Sequence, residues 1–106
     1  MYFQNIQALD TKEIFPGYTG HFVHTKNQTF VFWDVIAGSS VPEHQHMHEQ
    51  IVTVKEGQFE LTVNGEKRVM DKDMIAVIPG NTPHSGIAVT DCKLLDIFYP
   101  VREDYK

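Results

Sequence analysis

Three imidazoles and one carboxamide are the side chains of this protein best placed to do chemistry. His44, His46 and Gln50 stand at i, i+2 and i+6, and His84 follows a turn rich in Pro and Gly. On an extended strand alternate side chains face the same side, so the first three are predicted to point one way. A facing strand that carries His84 would close a small metal site. Imidazole suits zinc, copper, iron and nickel, and manganese also occurs with mixed nitrogen and oxygen ligands.

The four candidate ligands are all neutral, which sets the electrostatics of such a site. A divalent ion held by them would keep its full charge and favour an anionic ligand such as a carboxylate or an enolate. Four protein ligands also leave a position open for substrate, as in catalytic rather than structural sites. The amide of Gln50 is a weaker ligand than a carboxylate, so metal affinity is expected to be lower. The alternative is a polar barrel interior that holds no ion.

Composition excludes several classes of function. The 106 residues carry a net charge of -5 and no basic run, so nucleic acid is not expected as a partner. The single cysteine, Cys92, cannot form an internal disulfide, which fits a reducing compartment. The N-terminus has no basic region and no apolar core typical of a signal peptide, and the longest apolar run, 74–78, is too short for a membrane. We therefore expect a cytoplasmic protein with a small-molecule partner.

Alternation of apolar and polar residues predicts short strands separated by turns. Asn64-Gly65 between two alternating runs is a strong hairpin signal. Helix is considered only for 11–14 and 101–106. Strands at this spacing predict an all-β sandwich or barrel. The predicted strands cover residues 20–25, 29–36, 49–55, 58–63, 66–70, 74–78, 84–89 and 93–99.

Two stretches, 38–57 and 73–88, resemble in register the two motifs of the cupin family. The resemblance implies an antiparallel jelly-roll barrel, also called a double-stranded β-helix, as a single domain over residues 1–106. It also implies a divalent metal ion on the four candidate ligands. The first motif is represented by Gly38, His44, His46, Gln50 and Gly57. The second is represented by Asp73, Pro79, Asn81, His84 and Ala88.

The chain departs from the cupin motifs at four positions. Gln50 stands in place of the usual Glu ligand, and Asp73, Asn81 and Ala88 replace Gly, Gly and Asn. Asn tolerates a positive φ better than most residues, and Asp is acceptable in a turn. We expect the fold to survive these changes.

A narrower resemblance concerns the run His-x-His-x-His-Glu-Gln and the C-terminal stretch 95–104. Both are similar to the KdgF family, small cupins of pectin and alginate breakdown. The resemblance implies conversion of 4,5-unsaturated uronates into linear keto forms. It implies a catalytic group of Asp96, Phe98 and Arg102, in which the carboxyl moves a proton and the guanidinium holds the substrate carboxylate. On the residues alone, Asp96 could face solvent, and Arg102 could be solvated or pair with a neighbouring acid.

Other functions and a partner subunit also follow from the sequence. Cupins include metal-dependent dioxygenases and other sugar isomerases, and a non-catalytic small-molecule-binding role stays open. His48 shares the alternation of the histidine run, but we expect it not to be a ligand. The stretch 30–36 has large apolar residues on both faces, so one face should line the barrel and the other meet a second copy. We therefore expect a homodimer.

Overall fold

Ten strands form two facing antiparallel sheets in the computed structural model, which describes residues 2–106. Two 3-10 helices, Ile6–Ala8 and Glu103–Tyr105, flank the strands, and no helix within 2–106 has the length and apolar character to cross a membrane. The strands are β1 (Thr11–Phe15), β2 (Tyr18–His24), β3 (Thr29–Val35), β4 (Ser40–His44), β5 (Glu49–Glu56), β6 (Phe59–Val63), β7 (Glu66–Met70), β8 (Ile75–Ile78), β9 (His84–Ala88) and β10 (Cys92–Tyr99).

The sheets have six and four strands, in the orders β1-β2-β3-β10-β5-β8 and β4-β9-β6-β7. The chain passes between the sheets several times, and this crossing makes the jelly-roll barrel. The all-β prediction is confirmed. Of the two segments considered for helix, the first is a strand and the second is helical only over three residues. Residues 11–14 lie in β1, where pairing with β2 decides the structure, and the tail 101–106 forms only a 3-10 turn.

The core lies between the inner faces of the two sheets. Strict alternation in β3 and β10 buries Val31, Trp33, Leu94 and Phe98 and turns their neighbours outward. The thiol of Cys92 is buried as well, and burial raises its pKa, so it behaves as a small core residue. Further core residues come from both sheets: Phe22, Val35, Val52, Val54, Phe59, Leu61, Met70 and Ile78.

The tight turns have positive φ values at the residues that the sequence suggested for them. Asn64 and Gly65 have φ values of 47° and 83°, as a two-residue hairpin with a mirror-image turn requires. Asp73 and Asn81, which replace motif glycines, also have positive φ, at 73° and 59°. The backbone therefore keeps the conformation of these turns without glycine.

Candidate functional site

Three imidazoles converge where the chain crosses from one sheet to the other. His44 is the last residue of β4 and His84 the first of β9, and the two are cross-strand partners. His46 lies in the segment 45–48 between β4 and β5. One nitrogen from each ring lies within 4.8 Å of the others. The expectation of one continuous strand from His44 to Gln50 is therefore wrong, because the chain leaves the four-stranded sheet at residue 44 and joins the six-stranded sheet at residue 49.

Each of these three rings is oriented by a bond from Nδ1 to a backbone carbonyl two residues away. The carbonyls belong to Pro42 (2.8 Å), His48 (3.0 Å) and Thr82 (2.8 Å), for His44, His46 and His84 respectively. A carbonyl can only accept, so in a neutral ring Nδ1 carries the proton and Nε2 keeps its lone pair. Burial lowers the pKa of His46 to about 4 and also lowers that of His84, so both rings are neutral at pH 7.

The Pro79-Gly80-Asn81 turn fixes the segment that carries His46. The Asn81 amide donates to the His46 carbonyl at 2.6 Å. The Gly80 backbone lies so close to the carbonyl of Met47 that a side chain there would collide with it. The second sequence motif thus supplies His84 and also holds the loop of the first.

Gln50 joins the imidazoles to a buried carboxyl group. Its Nε2 donates to Asp96 Oδ2 at 3.0 Å, which turns its Oε1 towards His46 Nε2 at 3.1 Å. Because the His46 proton sits on Nδ1, this contact brings two lone pairs face to face. A cation near both atoms would turn this unfavourable contact into a favourable one.

The unmatched acceptors fit a divalent metal ion. His84 Nε2 is buried and has no hydrogen-bond partner within residues 2–106. The Nε2 of His46 lies 3.1 Å from the Oε1 of Gln50, and the bond from Nδ1 to the His48 carbonyl leaves this Nε2 without a proton in the neutral ring. Imidazole nitrogens with one amide oxygen suit a first-row divalent ion, and this donor set does not distinguish zinc, nickel, manganese, iron and copper. The backbone carbonyls behind the rings are the outer contacts that metal-binding histidines usually make.

His48 lies beside this cluster and not in it. Its ring centroid is 5.5 Å from that of His46, and its Nδ1 is buried without a partner among the described residues. Burial lowers its pKa, and the positive charge of Arg102 lowers it further. The ring therefore packs against the C-terminal segment as a neutral group.

Asp96 lies inside the barrel, on the face of β10 that also carries Phe98. Its Oδ2 accepts from Trp33 Nε1 at 3.1 Å and from Gln50 Nε2 at 3.0 Å. Its Oδ1 is buried without a partner in the described part of the chain. Burial raises the pKa of Asp96 to about 7, against the opposing effect of the two donors. Both protonation states are thus accessible near neutral pH, which suits a group that takes up and releases a proton.

Arg102 is buried in the wall of the same cavity. Its Nε and Nη2 donate to Asp104 at 3.0 Å and 2.8 Å. Burial disfavours the charged guanidinium, but the hydrogen bonds and charge of Asp104 together with Tyr105 outweigh it and raise the pKa of Arg102, so the group stays charged. Arg102 therefore pairs with a neighbouring acid, Asp104, as the sequence left open. This pairing uses two of the five N–H groups of the guanidinium, and the other three do not bond to Asp104.

Tyr105 is a cavity residue that sequence reasoning missed. The guanidinium carbon of Arg102 lies 4.0 Å from its ring centroid and 4.7 Å from that of Phe98, so the charge is held between two aromatic faces. The Tyr105 ring also meets Trp33 edge to face at 6.4 Å. Its carbonyl accepts from Lys12 Nζ at 2.9 Å. The only sequence signal was an aromatic residue one helical turn after Arg102.

The cavity between the sheets combines these groups at one end with apolar walls at the other. Its volume is about 60 Å³, room for a few water-sized groups, and it opens to solvent at the mouth. The polar end holds the three imidazoles, Gln50, Asp96 and Arg102. The walls are Phe15, Tyr18, Trp33, Val41, Val52, Phe59, Leu61, Leu94, Phe98 and Tyr105.

Fold and site together define a small barrel with a histidine cluster in its mouth. The protein-family model of the cupin domain matches residues 31–98, which include most of the strands around the cluster. The chain belongs to the cupin family.

Within that family the similarity to KdgF proteins extends over the whole chain. The structure of KdgF from Halomonas sp. superposes with a TM-score of 0.90 at 31% identity, covering 100% of this chain and 98% of that one. The pectin degradation protein KdgF of Dickeya dadantii (strain 3937) is 33% identical over 64 residues, and this match covers 58% of each chain. The protein is thus a KdgF-like cupin. An RmlC-like cupin from Shewanella frigidimarina NCIMB 400 shares the fold, with a TM-score of 0.93 at 24% identity and coverage of 100% and 96%.

Proposed function

We propose that this protein binds one divalent metal ion through His44, His46, Gln50 and His84. We further propose that it converts 4,5-unsaturated uronate monosaccharides into linear keto-deoxyuronates. The observation that carries the proposal is the cluster of three imidazoles next to Asp96 in one cavity, in which the buried Nε2 of His84 has no partner among the described residues. The similarity to a protein named for pectin degradation supports this class of substrate.

The proposed reaction is an isomerisation and needs no co-reactant. The ring opens when the C1 hydroxyl loses its proton, the C1–O5 bond breaks, and its electron pair stays on O5. This step gives an aldehyde at C1 and an enolate at C5. Protonation at C4 then gives the C5 ketone. One proton leaves the C1 hydroxyl and one proton is added at C4, so the protons balance. Substrate and product have the same atoms.

The chain's own residues divide this work by their positions. Asp96 lines the cavity, its Oδ1 has no partner among the described residues, and its pKa of about 7 lets it take the hydroxyl proton and return a proton to C4. The N–H groups of Arg102 that Asp104 leaves free pair with the substrate carboxylate. Phe98 packs against the guanidinium and excludes water from it. The metal ion, when bound, supplies Lewis-acid polarisation of substrate oxygens.

The decisive experiment follows the purified, metal-loaded protein with 4,5-unsaturated galacturonate, as loss of the ultraviolet absorbance of the double bond. We expect a rate far above that in buffer, and the mannuronate-derived compound tests stereochemical preference. No acceleration with either sugar would reject the proposed reaction. Oxygen consumption would favour a dioxygenase, and tight binding without turnover would favour a small-molecule-binding role. Elemental analysis of the same sample identifies the metal.

Tyr105→Ala is expected to raise KM for the uronate more than it lowers kcat, and to reduce kcat/KM about tenfold. The reason is that the stacking of the Tyr105 ring on Arg102, which orients the guanidinium, contributes about 1–2 kcal/mol. Tyr105→Phe keeps the aromatic face and should stay within about threefold of wild type. Steady-state kinetics on both variants, at equal metal content, measure the difference. Identical KM values for wild type and Tyr105→Ala would show that the stacking does not position the guanidinium.

A further inference from the structure

The position of Arg102 in the cavity wall depends on how the end of the chain is held. Residues 100–106, which we call the C-terminal strap, follow β10 and lie outside both sheets. The hydrogen bonds within the strap form one 3-10 turn and join Arg102 to Asp104, two residues away. Such bonds shape the strap but do not fix it on the barrel. Contacts with the strands must therefore place Arg102.

A buried hydroxyl group on β3 holds the strap at the backbone of Arg102. The Arg102 amide donates to Thr29 Oγ1 at 2.9 Å. Thr29 is the first residue of β3, and its side chain is fully buried. Its cross-strand partner on β10 is Phe98, whose ring packs against the Arg102 guanidinium. Thr29 therefore ties the backbone of Arg102 to the strand beside the one that carries this ring.

His24 completes the hydrogen bonds of the Thr29 hydroxyl group. The two residues are cross-strand partners on β2 and β3, and His24 Nδ1 lies 2.9 Å from Thr29 Oγ1. The Arg102 amide can only donate, so it uses a lone pair of Oγ1 and leaves the hydroxyl hydrogen for the lone pair of Nδ1. The opposite tautomer of His24 would leave a buried hydroxyl hydrogen without an acceptor among the described residues. The three groups thus form one directed chain of hydrogen bonds.

The ring of His24 is fixed in place and neutral, as this chain requires. It stacks on Phe22, with centroids 6.1 Å apart and an interplanar angle of 13°. Burial lowers the pKa of His24, and two lysines lower it further, against the opposing effect of an acid and a backbone group on the strap. The groups of β1 and the strap that act on the ring in this way are Lys12, Glu103, the Tyr105 backbone and Lys106. At pH 7 the ring therefore keeps a lone pair for the hydroxyl group.

The backbone of Arg102 sets the point from which its side chain enters the cavity wall. The guanidinium lies between the rings of Phe98 and Tyr105, 4.7 Å and 4.0 Å from their centroids. This stacking fixes the plane of the group, and the bond to Thr29 fixes the start of the side chain. Displacement of a binding group by about 1 Å can lower a rate about 100-fold. A contact on the backbone can therefore control how well Arg102 meets a carboxylate.

We propose that Thr29 and His24 are positioning residues, which hold the Arg102 backbone so that its guanidinium meets the carboxylate of a sugar acid. Both act through the backbone of the strap and not by contact with the sugar. The inference rests on the proposed function, in which Arg102 pairs with the substrate carboxylate. The hold on the strap can nevertheless be measured without turnover.

Amide hydrogen exchange at Arg102, followed by NMR, measures this hold directly. Thr29→Val keeps the branched shape of the side chain but removes the hydroxyl group, so the Arg102 amide loses its acceptor. We expect this amide to exchange at least about tenfold faster than in wild type. Thr29→Ser keeps the hydroxyl group and should stay within about threefold of wild type. Thr19→Val, at the opposite end of β2 from His24, is the matched control and should leave this exchange unchanged.

Steady-state kinetics with the unsaturated uronate measure the effect on the site. Thr29→Val should raise KM about tenfold and change kcat less than about threefold, because the contact acts on substrate binding. Thr29→Ser and Thr19→Val should keep the KM of wild type. His24→Leu should also raise KM, and His24→Asn, whose amide oxygen can accept from the Thr29 hydroxyl group, should restore it towards wild type. Metal content and a thermal melt confirm that each variant is loaded and folded.

Calorimetric titration with galacturonate separates this inference from the proposed reaction, because this sugar has the carboxylate and lacks the double bond. Thr29→Val should bind it about tenfold more weakly than wild type, and Thr29→Ser about equally. If wild type binds galacturonate but does not convert the unsaturated sugar, the reaction fails and these affinities decide the positioning. Equal exchange of the Arg102 amide in wild type and Thr29→Val would overturn the inference. So would a Thr29→Val variant with the KM and the affinity of wild type, or a wild type that binds neither sugar acid.

Discussion

His84→Ala is expected to purify with at least tenfold less bound metal than wild type and to lose uronate turnover to the rate in buffer. The side chain is buried, its Nδ1 is held by the Thr82 carbonyl at 2.8 Å, and its Nε2, near the other imidazoles, has no partner within residues 2–106. Removing it leaves two imidazoles and an amide. Changes to outer contacts of metal ligands alone cost 10–100-fold in affinity or activity, so loss of a ligand should cost more. Elemental analysis and the absorbance assay measure the two effects.

His48→Ala is the matched control, because it removes the same side chain from a position beside the cluster and leaves the cluster of three intact. It should keep the wild-type metal content. If His84→Ala binds as much metal as wild type, or if His48→Ala loses as much metal as His84→Ala, the ligand set is wrong. A thermal melt on both variants separates metal loss from unfolding.

Asp96→Asn is expected to keep its metal and to lose activity by about 100- to 10,000-fold, the usual contribution of a positioned acid or base. The amide has nearly the shape of the carboxyl group. Its oxygen can still accept from Trp33 and Gln50, so the contacts that hold Gln50 in place are retained. The amide cannot take up and release a proton near pH 7. The absorbance assay at saturating sugar measures kcat directly.

Metal content and melting temperature of Asp96→Asn provide the check on structure, and both should match wild type. Activity within about threefold of wild type at full metal occupancy would exclude proton transfer by Asp96. Loss of metal in this variant would assign Asp96 to holding Gln50. The two results point to different roles for the same buried carboxyl group.

Most strands could be read from the sequence because alternation has a local cause. In β3 and β10 every second side chain must enter the core, so the pattern of apolar residues shows the strand directly. β1 lacks this signal. It is an edge strand with three exposed residues, and only its pairing with β2 makes it extended. The hairpin at Asn64-Gly65 was predictable because its turn needs a positive φ at two successive residues, and Asn and Gly are among the few residue types that adopt one readily.

The site residues were chosen from the sequence by assuming alternation along one strand, and this assumption holds only in part. Spacing singled out His44, His46, Gln50 and His84, and the structure brings the three imidazoles together. It does so by carrying the chain from one sheet to the other between residues 44 and 49, which alternation along one strand does not describe. Tyr105 was missed because its contact with Trp33 joins distant parts of the chain and its short spacing from Arg102 is too common to mark a site.

By itself the sequence determined the strand content, the tight turns and which residue types could bind a metal, since side-chain chemistry and backbone preference are properties of neighbours in the chain. Only the tertiary structure decided which lone pairs are left unmatched. It also decided that Asp96 is buried with a raised pKa and that Arg102 is held between two rings. These properties depend on desolvation and on contacts between distant segments. They exist only once the two sheets have closed around the cavity.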